Sequence, residues 1–180
     1  MTVQRDTNHI QTISSRPTHR GQHRQFVRGR TILENGAVEW QPAPMHEGDM
    51  IKRLRVEPIS NYLERRRQGP IYPVIVANGF VYLSGLPPFD PETGDVKPAP
   101  FERQAELVLD QMKLCLEAAG SSLAQVVKCN VYCTPDPSHF DKFNAVYARY
   151  FPTESPARIF LHVPSWPGPF DVEVDAVAVI

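Results

Sequence analysis

Proline limits what this chain can build more than any other residue. It lacks a backbone N–H and fixes φ, so it cannot stand inside a helix or a central strand without damage. Of the 180 residues, 18 are proline, about twice the ~5% usual in globular chains. A count like that signals either disorder or short, heavily punctuated elements, and position decides between them. The prolines gather at Pro42/Pro44, Pro70/Pro73, Pro87/Pro88/Pro91, Pro98/Pro100, Pro135/Pro137 and Pro164/Pro167/Pro169, with apolar, Pro-free windows between the clusters. They therefore mark element boundaries, and a 42% hydrophobic fraction supplies the core those elements need. The length suits one domain with an appendage.

Charge narrows the function. With 19 Lys+Arg against 20 Asp+Glu the net charge is −1, which argues against an electrostatically driven nucleic-acid or membrane-surface role. No run of about 18 apolar residues is present to span a bilayer. Arg5, Asp6 and His9 interrupt the N-terminus before any signal-peptide core could form, so a cytoplasmic protein is expected. Cys129 and Cys133 form a C-x3-C pair with no second pair to complete a zinc site. With Cys115, they read as small buried hydrophobes.

Residues 1–49 differ from the rest, with six Arg, no Lys and four of the six His. Such a composition buries little surface, and a partly disordered N-terminal extension is expected. Within it, Asn35-Gly36 between apolar runs signals a hairpin. His19 and His23 are four apart but sit in no helical context, and they read as solvated. The compact domain is expected from Met50 onward, over 50–180.

From there the pattern sharpens. Residues 51–57 alternate like a short, partly exposed strand. Val74–Ala77 and Phe80–Ser84 flank Asn78-Gly79 and predict a type I′ hairpin. Phe101–Ala119 is free of Pro and Gly; Ala105, Val108, Met112, Cys115 and Ala119 share a helical face, and Gly120 stands at the C′ position. Val126–Cys133 reads as a strand. Ser138 and Asp141 resemble a capping box, opening a helix with an aromatic stripe at Phe140, Phe143, Tyr147 and Tyr150/Phe151. Two further strand-like runs, 157–163 and 170–180, close the chain. The sum is βββαβαββ, an α+β fold in which two helices pack on one face of a mixed sheet.

The last run carries an anomaly. Asp171, Glu173 and Asp175 fall on one face, and Val172, Val174, Ala176 and Ala178 on the other. Carboxylates spaced at about 6.6–6.8 Å repel one another, so the row is either a solvated sheet face or the seat of one poised acid or base. Arg158, in the apolar run Pro156-Ala-Arg-Ile-Phe160, needs a partner, which could be a structural Glu or a substrate carboxylate. The stiff connection containing Pro164, Pro167 and Pro169 is expected to carry Glu173 back beside Arg158. Tyr82-Leu-Ser-Gly85 ends a strand in a way that admits either a ligand or a bend.

Together these residues resemble the RidA (YjgF) family of small homotrimeric enamine/imine deaminases. The resemblance rests on Val81-Tyr-Leu-Ser-Gly85, Pro88 and Asp90-Pro-Glu-Thr-Gly-Asp95; on Leu116-Glu-Ala-Ala-Gly-Ser-Ser-Leu123, Val126-Val-Lys128 and Val131-Tyr132. It continues through Phe143-Asn144, Tyr147, Tyr150-Phe151, Pro156-Ala-Arg158 and Val172-Glu-Val-Asp-Ala176. It implies a chorismate-mutase-like fold and hydrolysis of 2-imino acids or enamines to 2-keto acids and ammonia, without metal or organic cofactor. It implies a homotrimer with sites at subunit interfaces. Arg158 would grip the substrate carboxylate, Glu173 would position or deprotonate water, and Ser84, Gly85 and Asn144 would line the pocket. Two departures stand out. Gly69-Pro-Ile-Tyr-Pro73 replaces a family Gly-Pro-Tyr, so the pocket tyrosine is either replaced by Ile71 or displaced to Tyr72. Phe160 stands where such members often carry Cys. Both suggest the alternative of a catabolic deaminase for a larger, aminomuconate-like substrate. The Arg/His-rich extension suggests a non-catalytic metabolite- or client-binding trimer. Trp166 could add an aromatic wall or pack under its loop.

A chain beginning at Met50 is expected to remain folded and trimeric. Loss of assembly in sedimentation would show that residues 1–49 cross a subunit boundary.

Overall fold

The computed structural model describes residues 51–180 and, within the first fifty, the backbone of three short strands. The chain divides into two compact units, Met1–Pro44 and Met45–Ile180. In the first, β1 (Phe26–Val27), β2 (Arg30–Ile32) and β3 (Val38–Trp40) form an antiparallel sheet, with Ile32 paired to Val38. That register closes the expected hairpin around Asn35-Gly36. The turn residues themselves, His19, His23 and Met50 lie outside the described residues.

The second unit runs β4 (Lys52–Leu54), α1 (Ile59–Arg67), β5 (Val74–Ala77), β6 (Phe80–Leu83), α2 (Phe101–Ala118), β7 (Val126–Cys133), α3 (His139–Tyr150), β8 (Ala157–His162) and β9 (Val172–Val179). The expected βββαβαββ order is present with one insertion, α1. Six strands pair in the order β4-β5-β6-β9-β7-β8, all antiparallel except β7 with β8.

Local chemistry explains most boundaries. Asn78 and Gly79 both have positive φ (52° and 76°) between the paired residues Ala77 and Phe80, the conformation a type I′ turn demands. Gly120, with φ of 78°, ends α2; its amide donates to Glu117 O and the Ser121 amide to Leu116 O, a Schellman closure. The start of α3 departs from expectation. Ser138 makes no side-chain cap bond to the helix; instead its amide and hydroxyl both donate to the Asp136 carboxylate at 2.7 Å.

Helix α1 was not foreshadowed by the residue pattern. It is nine residues long, and only Ile59 and Leu63 are buried apolar anchors. Three arginines in its last turn complement the helix dipole.

The core lies between the sheet and the helices. Val81, Leu83, Cys129, Val131, Cys133, Val172, Val174, Ala176 and Ala178 face Ala105, Val108, Met112 and Cys115 of α2 and Phe143 of α3. In the aromatic stripe of α3, Phe143, Tyr147 and Phe151 are buried, Tyr150 is partly buried and Phe140 is 48% exposed. All three cysteines are free and buried, and burial pushes their thiols up to about 12. Among the described residues no helix is long and apolar enough to cross a membrane.

The Pro-rich loop after β6 is built by Asp90. Its carboxylate accepts the Glu92 and Thr93 amides and the Thr93 hydroxyl, bonds that hold its pKa down to about 2. Gly94 follows with φ of 70°, and a Cβ there would stand 2.0 Å from the Tyr62 ring. Gly94→Ala is expected to cost about 2–4 kcal/mol, combining backbone strain with overpacking. Urea unfolding at fixed protein concentration measures it; an unchanged midpoint would contradict this packing.

Candidate active site

Strand β9 alternates as its sequence requires, with Val172, Val174, Ala176 and Ala178 buried and the acidic positions half-buried between them. The three carboxylates meet different fates. Asp171 accepts the Thr134 hydroxyl at 2.7 Å and the Gln104 amide at 3.1 Å, and its backbone N–H donates back to Gln104. Asp175 accepts from Asn130 at 2.7 Å and from the Tyr132 hydroxyl at 3.0 Å. Glu173, between them, has no hydrogen-bond or ion-pair partner among the described residues. Burial raises its pKa above the usual glutamate value, opposed by Arg67 and Arg66 and reinforced by Asp175. The row is thus two structural acids flanking one free one.

Glu173 opens into a cavity of about 390 Å³ lined by Arg66, Arg67, Pro87, Trp166, Pro167 and Phe170. Gly85 lies against it, because a Cβ on Gly85 would stand 2.1 Å from Glu173 Oε1. Here glycine is required by close approach rather than by backbone angle. Ser84 precedes it, with its amide on Pro73 O and its hydroxyl on Gly85 O at 3.3 Å. Tyr72, next to Pro73 and 37% exposed, stands at the same end of the sheet. Trp166 satisfies both of its readings: it stacks on Phe170 (centroids 5.2 Å apart) and walls the cavity.

Arg158 belongs to a second cavity, of about 310 Å³, formed with Asn144, Tyr147, Ala148, Phe151, Ser155 and Pro156. Its Nη2 donates to Asn144 Oδ1 at 2.6 Å. The guanidinium lies over the rings of Tyr147 (4.6 Å) and Phe143 (5.9 Å), a cation–π seat. No carboxylate pairs with it among the described residues. Of the two partners the sequence left open, the structural Glu is therefore absent here.

The expectation that the connection at 164–169 brings Glu173 beside Arg158 is corrected. In the ladder, Arg158 and Ala176 both stand opposite Cys129, whereas Glu173 stands opposite Tyr132. Cys129 is in the core, and Tyr132, three residues on, points to the other face because strand side chains alternate. Within one chain Arg158 and Glu173 therefore lie on opposite sides of the sheet.

The remaining expected residues take other places. Ile71 packs against the core. Phe160 sits among the rings of Phe140, Phe143 and His162. Neither they nor Tyr72 line either cavity. Tyr147, Arg66 and Arg67 were missed as site residues. The stripe spacing of Tyr147 signalled core only, and the arginines belong to the helix the pattern did not reveal.

A family model described as endoribonuclease L-PSP matches residues 66–180. A RutC family protein of Pyrococcus horikoshii is 39% identical over 61% of this chain and 86% of its own. Reactive Intermediate Deaminase A, chloroplastic, of Arabidopsis thaliana is 37% identical over 62% of this chain and 59% of its own. Among solved structures, E. coli TdcF with bound serine superposes with a TM-score of 0.58 at 32% identity, covering 62% of this chain and 89% of that one.

Because burial raises the Glu173 pKa, ionising this group opposes folding. The stability it provides is complete below its unfolded pKa and is lost as pH rises through its folded value. Glu173→Gln is therefore expected to be more stable than the native chain at neutral pH, with the gap closing as pH falls through the raised folded value toward the usual glutamate value of 4.5. Denaturant unfolding across pH measures this; a gap that widens in acid would contradict it.

Proposed function

Because the chain belongs to the endoribonuclease L-PSP family, whose members include the Rid (YjgF) proteins, we propose that it is a deaminase hydrolysing 2-imino acids or their enamine tautomers to 2-keto acids and ammonia. The observation that carries this reading is the pair of unneutralised groups: a guanidinium held open on aromatic rings and a desolvated carboxyl without a partner. The relative in Arabidopsis thaliana is a reactive intermediate deaminase, and TdcF was solved with serine, a small carboxylate-bearing molecule. Both suit a carboxylate anchor.

The chemistry asks for little. Arg158 holds the substrate carboxylate with a two-pronged contact. Glu173 takes a proton from water as the water oxygen bonds to the imine carbon and the C=N π electrons move to nitrogen, which is protonated. The resulting carbinolamine expels ammonia as its hydroxyl proton is lost and the carbonyl forms. A carboxyl raised by burial suits both taking and returning the proton. Ser84 and Gly85 border Glu173, and Asn144 orients Arg158. Tyr72, Ile71 and Phe160 shape the surroundings in this reading.

Since the two groups lie on opposite sides of one sheet, the complete site needs two chains. The face that carries Glu173 also exposes Phe80 (39%), Tyr82 (44%), Ile159 (40%) and Leu161 (43%), an apolar surface fit for a neighbouring subunit. We read the assembly as a homotrimer in which residues 50–180 form the RidA-like domain, with Arg158 of one subunit facing Glu173 of the next. A cytoplasmic, reducing setting agrees with three free thiols. RNA cleavage is less well served: His139 is stacked on Phe101 at 3.9 Å and bonded to Thr134, and neither it nor His162 lines the Glu173 cavity.

The test generates 2-iminopropanoate with an amino acid oxidase and traps it with semicarbazide, following ammonia release. Arg158→Ala is expected to lower kcat/KM by roughly 100-fold, the worth of a charge-assisted double hydrogen bond of about 3 kcal/mol. Arg158→Lys should fail as well, because an ammonium has no planar fork. If Arg158→Ala matches the native chain, or the native chain hydrolyses no 2-imino acid faster than buffer, the deaminase reading falls.

A further inference from the structure

The hydrolysis above accounts for Arg158 and Glu173 but leaves Arg66 and Arg67 without a task. Helix α1 ends in three consecutive arginines, and they divide their work. Arg65 serves the neighbouring turn, donating to Thr93 O at 2.7 Å and standing 3.9 Å from the Asp95 carboxylate. Arg66 and Arg67 line the Glu173 cavity instead. Arg66 is fixed there by a 2.7 Å bond to Pro167 O and by its seat over the Phe170 ring at 5.6 Å. Neither Arg66 nor Arg67 has a carboxylate partner among the described residues.

Charge arithmetic then points to the occupant. Two guanidinium groups against the single carboxylate of Glu173 leave this cavity at +1 when Glu173 is ionised and +2 when it is protonated. Arg158 adds a further cation from the other cavity. A substrate with one carboxylate, spent on Arg158, leaves the positive charge beside Glu173 unmatched, and an unmatched cation lining a partly desolvated cavity favours an anion. A second carboxylate at the far end of the substrate would match it. The wall between is the ring of Trp166, whose buried Nε1–H lacks an acceptor among the described residues.

We propose that the substrate is a dicarboxylic 2-imino or enamino acid. Its C1 carboxylate lies on Arg158 of one subunit, its distal carboxylate on Arg66 and Arg67 of the neighbour, and its carbon chain runs along Trp166 past Glu173. The proposal rests on the deaminase reading and narrows it. Arg67 supplies the exposed, adjustable cation and Arg66 the fixed one, so selectivity between one- and two-carboxylate substrates resides in α1.

The experiment compares 2-iminopropanoate with 2-iminosuccinate and 2-iminoglutarate, each made in place by an amino acid oxidase and measured as kcat/KM against semicarbazide trapping. The native protein is expected to favour the dicarboxylates by at least about tenfold, expressed mainly in KM. Arg67→Gln should bring the ratio close to one, and Arg67→Glu should invert it. Arg66→Gln should lower the ratio too, and the Arg67 variants keep the test sound if loss of the Pro167 contact harms folding. Hydrolysis of 2-iminopropanoate with no dicarboxylate preference, or a preference that survives Arg67→Gln and Arg67→Glu, overturns this inference and leaves the deaminase reading standing. Hydrolysis of none of the three overturns both.

Discussion

The two-residue period of β9 governs the rest of the domain. The strand is paired on both flanks, to β6 and to β7, so a slip of one residue would turn Val172, Val174, Ala176 and Ala178 out of the core together. Burying a valine contributes roughly 1.5–3 kcal/mol, which makes any such slip prohibitive for a domain of ordinary stability. The small Ala176 and Ala178 let α2 lie close over the strand. Glu173 inherits this rigidity, because its position between two core valines is as fixed as theirs. A side chain on a doubly paired strand needs no ligand to position its backbone.

The same period creates a problem that the surrounding elements solve. Three acids in a row would repel, and the fold ties down the outer two with neutral donors rather than with cations. Thr134 and Gln104 hold Asp171, and Asn130 and Tyr132 hold Asp175. Neutral donors satisfy a carboxylate without cancelling its charge. The Asp175 charge therefore still reaches Glu173 and helps raise it, while the cations that oppose the shift come from a helix distant in sequence.

Sequence patterns revealed the elements whose determinants are local. Asn78-Gly79, the Pro-free span to Gly120, and the alternation of β9 each carry their conformation in a few adjacent residues, and each took the expected form; β7 alternates as expected only from Lys128 onward, because a register shift between Val126 and Lys128 buries Val126 and exposes Val127. Helix α1 did not announce itself, because nine residues with two buried anchors leave too little periodicity to separate from a charged linker. The α3 start was misread for a related reason: the capping partner of Ser138 is Asp136, two residues before it, not Asp141 after it. At the site, the acid row of β9 and the lone Arg158 were readable as residue types out of keeping with their surroundings. Their placement on opposite sides was not, since it depends on which residue of β7 each one meets. The contact of Gly85 with Glu173 joins positions far apart in the chain and has no local signature.

In the proposed deaminase reading, the seat of Arg158 has a consequence for how a substrate arrives. Aromatic faces and an amide oxygen anchor the guanidinium without neutralising it, so among the described residues no ion pair must break before an anion can bind. The positive charge that Arg158 brings to the β8 edge of the sheet is therefore left unneutralised by its neighbours. Encounter with anions is steered by that charge and weakens as ionic strength rises. Departure is governed by the contacts made afterwards. Capture and retention thus fall to different parts of the molecule, the first to an aromatic cradle on α3 and the second to whatever the opposite face contributes.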